Sequence, residues 1–315
     1  MEFKIHFARQ NLPKLARCQG RIRSENTDFQ VDEILGFEPQ GEGEHVYLHI
    51  RKTGQNTVWV KEQLASKLGL KPQDIGHSGL KDRHAVTSQW LSIYSPVIEP
   101  DLSDLDIDGV EVLQNLRHPN KLRPGMHQFN RFRILVSEVI DVVDTEHLME
   151  QIRSHGFPNY FGEQRFGHDG SNLIVGWSLL QKRRLRQHKK KSIYLSALRS
   201  FLFNQVLSQR IETPSDEFTG FDRTGPLWGR GRQNVAPEQK EFELQVLKPW
   251  KPLCDALEFS GLNQERRELF QSAHELTWKW LDQDKLLLDF CLPPGSYATS
   301  LLHEIVNWYE TNDRS

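Results

Sequence analysis

Strand-like alternation opens this chain, gives way after Gly156 and returns at Leu276, so one sheet must be built from segments far apart in sequence. Alternation marks Phe29 and Val31, then Val46, Leu48 and Ile50, while Val60, Leu64 and Leu68 show helical spacing between Thr57 and Gly69, with a cap at each end. Strands are expected from Thr87 to Tyr94, near Val112 to Leu116, and where Phe132, Ile134 and Val136 share a face. A helix follows, capped by Asp144, carrying Leu148 and Ile152 and stopping at Gly156. Helices and strands in this uneven order predict an α+β fold rather than a regular βαβ winding.

Beyond Gly156 the segment PNYFGEQRFGHDGSN is rich in Gly and Asn, and Ser192 is expected to open a long helix with Leu195, Leu198, Leu202 and Val206 on one face. The middle reads as a largely helical second domain. Glu212 to Pro252 is turn-rich and carries no clear element. Strand texture resumes as LTWKWL, a DQD turn and KLLLDFCL, followed by PPGSYATS and a helix bearing Leu301, Leu302, Ile305, Val306 and Tyr309. The expected division is therefore 1–154 with 271–315, interrupted by 155–270. A length of 315 residues agrees with two domains.

Composition excludes several classes. The longest mainly apolar stretch, Asn172 to Leu180, falls far short of the roughly 18 residues a membrane helix needs, and MEFKIHFARQ has no apolar signal core. A cytoplasmic location is the expectation. Three dispersed cysteines, Cys18, Cys254 and Cys291, form neither a CxxC pair nor a disulfide framework. The formal net charge of −2 hides strong local patches. Glu99 to Glu111 is acidic with no Lys or Arg, whereas Arg117, Lys121, Arg123, Arg131 and Arg133 occur between Val112 and Ser137 without a carboxylate. The run KRRLRQHKKK, Lys182 to Lys191, is denser still. Such runs serve as solvated faces or as tracks for phosphates.

GEGEH at Gly41 lacks the third glycine of a dinucleotide loop, and GxxxxGK-S/T, HExxH and GxSxG are all absent. The 13 histidines show no paired spacing that would make a metal site. The positive signal is GLKDRHAVTSQW, Gly79 to Trp90, in which Asp82 lies among Lys81, Arg83 and His84 in a glycine-led loop between expected strands. Neighbouring cations favour the anionic form of a carboxylate, which suits a nucleophile or general base; a turn-capping aspartate is the alternative.

That run resembles the GxKDxxAxTxQ signature of the TruD family of tRNA pseudouridine synthases. PNYFGEQRFG resembles the family's PNYFGxQRFG segment, Asn130 and Phe132 its NxF motif, and LPPGSYATS its LPxGS-F/Y-ATS segment. SALRSFLFNQVLSQR is similar to the helix after the family's glycine-rich segment, so the likeness covers nearly the whole chain, although Glu212 to Asn263 matches poorly beyond GPLWGRG. The resemblance implies a pseudouridine synthase catalytic domain, 1–154 and 271–315, with a mixed, largely antiparallel sheet, interrupted by a TruD-type insertion domain, 155–270. It also implies isomerisation of uridine in tRNA, at uridine-13 of the D arm, with no cofactor, no metal and no obligate protein partner. Asp82 would be the catalytic carboxylate, attacking sugar or base or removing the sugar C2′ proton. Arg23 aligns where the family often has Lys, counting back from Asp28 and Phe29, and would orient it. Phe29, Asn130, Phe132 and Tyr297 would bind the base, Phe132 by stacking. Lys81, Arg83, Arg131, Lys189, Lys190 and Lys191 are the candidate RNA contacts. A non-catalytic RNA-binding or RNA-folding protein on the same scaffold is the alternative; a metal-dependent nuclease is a third.

Overall fold

The computed structural model describes residues 2–8, 16–97, 100, 102, 105–182, 184–213 and 220–309. Of the acidic block, Glu99, Asp101 and Asp104 lie outside these residues, as does Arg183 of the basic run. In chain order the elements are β1 (Cys18–Arg21), β2 (Phe29–Ile34), β3 (His45–Thr53), α1 (Thr57–Leu68), β4 (Ile75–His77), β5 (Val86–Tyr94), β6 (Val110–His118), β7 (Phe129–Ile140), α2 (Thr145–His155) and β8 (Phe157–Pro158). They continue as α3 (Ser171–Gln181), α4 (Lys191–Glu212), β9 (Thr224–Leu227), α5 (Pro237–Val246), α6 (Lys251–Glu258), β10 (Glu265–Glu268), β11 (Phe270–Gln271), β12 (His274–Asp282), β13 (Lys285–Leu292), α7 (Ala298–Ile305) and β14 (Val306–Tyr309). Among the described residues no helix is long and apolar enough to cross a membrane.

The chain packs as two compact units. The first holds Ala16–Glu146, Ala273–Gly295 and Val306–Ser315; the second holds Met1–Leu15, His147–Ser272 and Ser296–Ile305. This division differs from the expected one at the chain start, at α2, whose residues from His147 onward fall in the second unit, and at α7. Phe7 meets the Tyr160 ring edge-on at 5.1 Å, and Ser300 Oγ donates to the Tyr160 carbonyl at 3.0 Å, which ties both segments to the middle of the chain.

In the first unit, ten strands among the described residues share a sheet ordered β12-β13-β7-β2-β5-β3-β6, with β1 beside β7, β14 beside β1 and β4 beside β5. The β2–β5 and β1–β14 pairs are parallel and the others antiparallel, which is the α+β arrangement the element order predicts. On β7, Phe132, Ile134 and Val136 are buried, as alternation requires, while Arg131 and Arg133 turn the other way to Asp289 of β13. Helix α1 lays Val60, Leu64 and Ala65 on Val46, Leu48 and Ile50 of β3 and on Leu91 and Ile93 of β5. Burying one such Leu or Ile side chain contributes about 1.5–3 kcal/mol. The cap of α1 is Asn56, whose side chain accepts the Trp59 N–H at 2.8 Å; Gly69 ends the helix at φ 65°, left-handed backbone that suits glycine. Asp144 precedes α2 and accepts the Ala16 N–H at 2.6 Å.

The second unit is centred on α4, where Leu195, Leu198, Leu202 and Val206 are buried in the spacing the sequence predicts. The unassigned stretch from Glu212 to Pro252 contains β9 and α5. Val306 and Tyr309, expected on the last helix, instead form β14. There Val306 pairs with Cys18 and Tyr309 with Arg21, so a waiting strand edge overrides helical spacing.

Candidate active site

The loop carrying Asp82 runs from the end of β4 to the start of β5, and buried charges hold it from below. Thr57 Oγ1, on the first turn of α1, accepts the Lys81 N–H at 2.9 Å and donates to Gln89 Oε1 at 2.8 Å. Lys52, on the inward-facing phase of β3, is 0% exposed, and its Nζ donates to the carbonyls of Gln55 at 2.6 Å, Asp82 at 2.7 Å and Lys81 at 3.4 Å. Three acceptors for three N–H groups fix the ammonium and, through it, the backbone of the loop. Burial lowers the Lys52 pKa to about 8; the Asp82 charge opposes that shift and the Lys81 charge adds to it.

Lys81 points inward. Its Nζ meets Glu33 Oε2 at 2.5 Å, both side chains being buried, and Glu33 Oε1 accepts the Trp90 N–H at 3.0 Å. Lys81 is thus a strut of the loop and not the RNA contact the sequence suggested, because a buried ion pair holds its charge away from solvent. Gly79 lets these groups close up: a Cβ there would meet Lys81 Nζ and His127 Cε1 at 3.3 Å.

Asp82, by contrast, is half open. Arg23 Nη2 donates to its Oδ2 at 2.9 Å, the Asp82 side chain being 50% exposed against 15% for Arg23. Arg23 occupies left-handed backbone at φ 57°, unusual for a residue with a Cβ, and its guanidinium lies 4.2 Å from the Phe29 ring centre. Phe29 in turn meets Phe132 edge-on at 6.2 Å, and Phe132 stacks on Phe290 at 5.4 Å. Asp82, Arg23, Phe29 and Phe132 are therefore linked by successive contacts. Phe29 and Phe132 are both core rings, 2% and 8% exposed.

Asn130 joins from the other side, opposite Glu33 in the β2–β7 register, and its Nδ2 lies 2.9 Å from His127 Nε2. His127 Nδ1 lies 2.5 Å from Ser78 Oγ. Burial, reinforced by the Lys81 charge, pushes His127 down to about 4, although a hydrogen bond to the Ser78 backbone opposes it.

The remaining candidates stand elsewhere. Arg83 Nε donates to the Gly54 carbonyl at 3.2 Å, and Arg131 is engaged with Asp289 at 2.8 Å, which raises its pKa. Tyr297 belongs to the second unit, where Arg165 Nη2 donates to its hydroxyl and Phe161 meets its ring at 6.2 Å. Lys189 and Lys190 are exposed just before α4, and Lys191, its first residue, is half-buried beside a cavity of about 540 Å³ that Arg199 and Arg267 also line. Among the described residues no three His, Cys, Asp or Glu side chains gather to hold a metal ion. Glu33, Lys52, Ser78 and His127 escaped the sequence reading.

A half-open carboxylate gripped by an arginine, beside aromatic rings and a side-chain amide, is a site for nucleophilic or proton-transfer chemistry on a flat ring with hydrogen-bonding edges. The fold is shared with a solved structure described as a putative tRNA pseudouridine synthase D from Methanosarcina mazei, at TM-score 0.68 and 19% identity over 93% of this chain and 94% of that one. Residues 11–190 match the model of the family described as tRNA pseudouridine synthase D (TruD), and the chain belongs to that family. It is 44% identical over 298 residues to a tRNA pseudouridine synthase D of Cellvibrio japonicus (strain Ueda107), covering 91% of this chain and 89% of the relative. It is 39% identical over 327 residues to one of Aeromonas salmonicida (strain A449), covering 94% and 93%.

Proposed function

We propose that this chain isomerises uridine to pseudouridine in tRNA, at uridine-13 of the D arm, with Asp82 as the reacting carboxylate. The observation that carries the reading is the Arg23–Asp82 pair at 2.9 Å, mounted on a loop whose carbonyls are clamped by Lys52. Family membership and the names of the relatives support the same activity. The unit bearing the sheet serves as the catalytic domain, and the inserted middle of the chain as the domain that helps hold tRNA.

In the reaction the N1–C1′ bond breaks, the base turns, and C5 joins C1′; C5 gives up a proton and N1 gains one. Atoms balance within the nucleotide, so the overall conversion needs no external oxidant or group donor. Arg23 holds Oδ2 and directs Oδ1 of Asp82 to the nucleotide, as nucleophile at the sugar or base or as base at C2′. The flipped uracil loses its stacking in the RNA and regains part of it on the exposed portion of Phe132. Phe29 backs that ring and Arg23 together. Asn130 reads the uracil edge. Lys189, Lys190 and Lys191, with Arg83 and Arg131, meet tRNA phosphates.

The test is to incubate the purified protein with unmodified tRNA and map pseudouridine at single-nucleotide resolution. Pseudouridine at position 13 is expected. Asp82→Asn should abolish product and retain tRNA affinity, since the amide is nearly isosteric yet neither nucleophilic nor basic. Turnover by that variant would end the assignment, and tRNA binding without product in the parent protein would leave an RNA-binding protein on the same scaffold.

A further inference from the structure

The two ends of an asparagine amide are alike in shape and opposite in hydrogen bonding, so a neighbour must decide which end a ligand meets. At Asn130 the neighbour is His127. Nδ2 lies 2.9 Å from His127 Nε2, while Oδ1 is buried with no hydrogen-bond partner among the described residues. An NH₂ group only donates, so Nε2 offers its lone pair and the ring proton stands on Nδ1. That proton has its own acceptor, Ser78 Oγ at 2.5 Å, which also takes the His127 backbone N–H at 2.6 Å. The opposite tautomer would carry a proton on Nε2, turn the amide over, and present Nδ2 where Oδ1 now stands.

A buried acceptor without a partner is destabilising and calls for an explanation, which a bound donor supplies. Uracil carries such a donor at N3–H; cytosine has an acceptor at the same position. We propose that His127 is a positioning residue that locks the Asn130 amide with Oδ1 facing the substrate base, so that the site accepts the N3–H of uracil and rejects cytosine. This rests on the reading of Asn130 as the residue that meets the base edge. Ser78 is the first residue of the loop that bears Asp82, so the same hydrogen-bond chain ties base reading to the reacting carboxylate. The charges near the ring are Lys81 and its partner Glu33, and burial together with Lys81 keeps the imidazole neutral near pH 7.

The experiment compares His127→Leu, His127→Gln, Asn130→Ala and the double variant His127→Leu/Asn130→Ala. Single-turnover rates at saturating tRNA are read at the uridine the parent modifies, normalised to the folded fraction. His127→Leu should slow the reaction about 10- to 100-fold with tRNA affinity little changed, the scale on which a misplaced group slows chemistry. His127→Gln should recover most of the rate, because its Oε1 accepts from Asn130 and its NH₂ donates to Ser78. The double variant should be no slower than Asn130→Ala alone. As a second readout, tRNA with cytidine at the target position should compete poorly against the parent, and better, to a similar degree, against His127→Leu and Asn130→Ala.

A parental rate in His127→Leu, equal loss in the Gln and Leu variants, or losses that multiply in the double variant would overturn the positioning role. Should His127→Leu fail to fold, cytidine discrimination in His127→Gln and Asn130→Ala decides: retained by the first and lost by the second supports the role, any other pattern overturns it. If Asn130→Ala itself leaves rate and discrimination unchanged, the base-reading role of Asn130 falls and this inference with it. A slow Asn130→Ala beside a normal His127→Leu removes this inference alone.

Discussion

At the scale of single residues, Phe132 has two duties that pull apart under mutation. It is 8% exposed and stacked on Phe290, so cutting it to Ala would open a core cavity worth about 3–5 kcal/mol and confuse stability with catalysis. Phe132→Leu keeps most of the volume and removes the ring. It should cost about 1 kcal/mol of stability and slow single turnover about tenfold or more, because stacking on a base is worth about 1–3 kcal/mol. A denaturation curve beside a single-turnover assay separates the two; a rate that falls only with the folded fraction would make Phe132 a core residue. Motif and alternation made Asp82, Arg23 and the buried phase of Phe132 legible in the sequence. Glu33 and Lys52 were written there too, as charges on the apolar phase of a strand, Phe29-Val31-Glu33 and Val46-Leu48-Ile50-Lys52. Such a charge reads as a strand end until its partner on the Asp82 loop is known, and that loop lies 48 positions from Glu33 at Lys81 and 29 and 30 from Lys52 at Lys81 and Asp82. Lys81 was misread for the same reason.

At the scale of elements, strand β3 and the Asp82 loop form one device through Lys52. As pH rises through about 8 the Lys52 ammonium loses a proton, one of three carbonyls loses its donor, and the loop loses the charge that holds it. The rate constant of single turnover should therefore decline above pH 8, and Lys52→Met should show a low, flatter profile. Stability runs the other way. The folded value lies below the ordinary 10.5, so between about 8 and 10.5 the unfolded chain binds the extra proton and this group's contribution to stability rises with pH. Loss of activity without loss of melting temperature in that window is the expected signature, and parallel loss of both would remove Lys52 from the account. The helix caps and the last helix show what local pattern misses. Asn56 caps α1 although Thr57 fits the same preference, because the Thr57 hydroxyl is already bonded to the loop and to Gln89.

At the scale of the whole molecule, histidine burial makes the sheet unit sensitive to acid. His45, His49, His77, His118 and His127 all have pKa values lowered from 6.5, chiefly by burial. The unfolded chain protonates them near 6.5 and the folded one only further down, so stability is lost as pH falls below about 6.5. Urea midpoints at pH 7.5 and 5.0 should show the drop, and equal midpoints would mean these rings are solvated in solution. In the second unit, replacing Lys189, Lys190 and Lys191 by Gln should weaken tRNA binding and flatten log K against log salt by up to about 2–3 units, with chemistry at saturation spared. The two exposed lysines should account for most of it. An unchanged slope would move the phosphate track to Arg117 and its neighbours.

The pairing of Cys18 with Val306 and of Phe132 with Phe290 carries a consequence for biosynthesis. On the ribosome, β1 and β7 emerge early and must wait for more than 150 further residues before β13 and β14 exist. At about 5–20 residues per second the nascent chain spends roughly ten to thirty seconds with the edge of β7 unsatisfied. During that interval the Arg131 and Arg133 side chains, which lie on β7 itself, should discourage edge-to-edge association of neighbouring nascent chains, as charges on an open strand do. Slowing translation just before β13 should therefore lower the yield of soluble protein, whereas the same delay placed after Tyr309 should not.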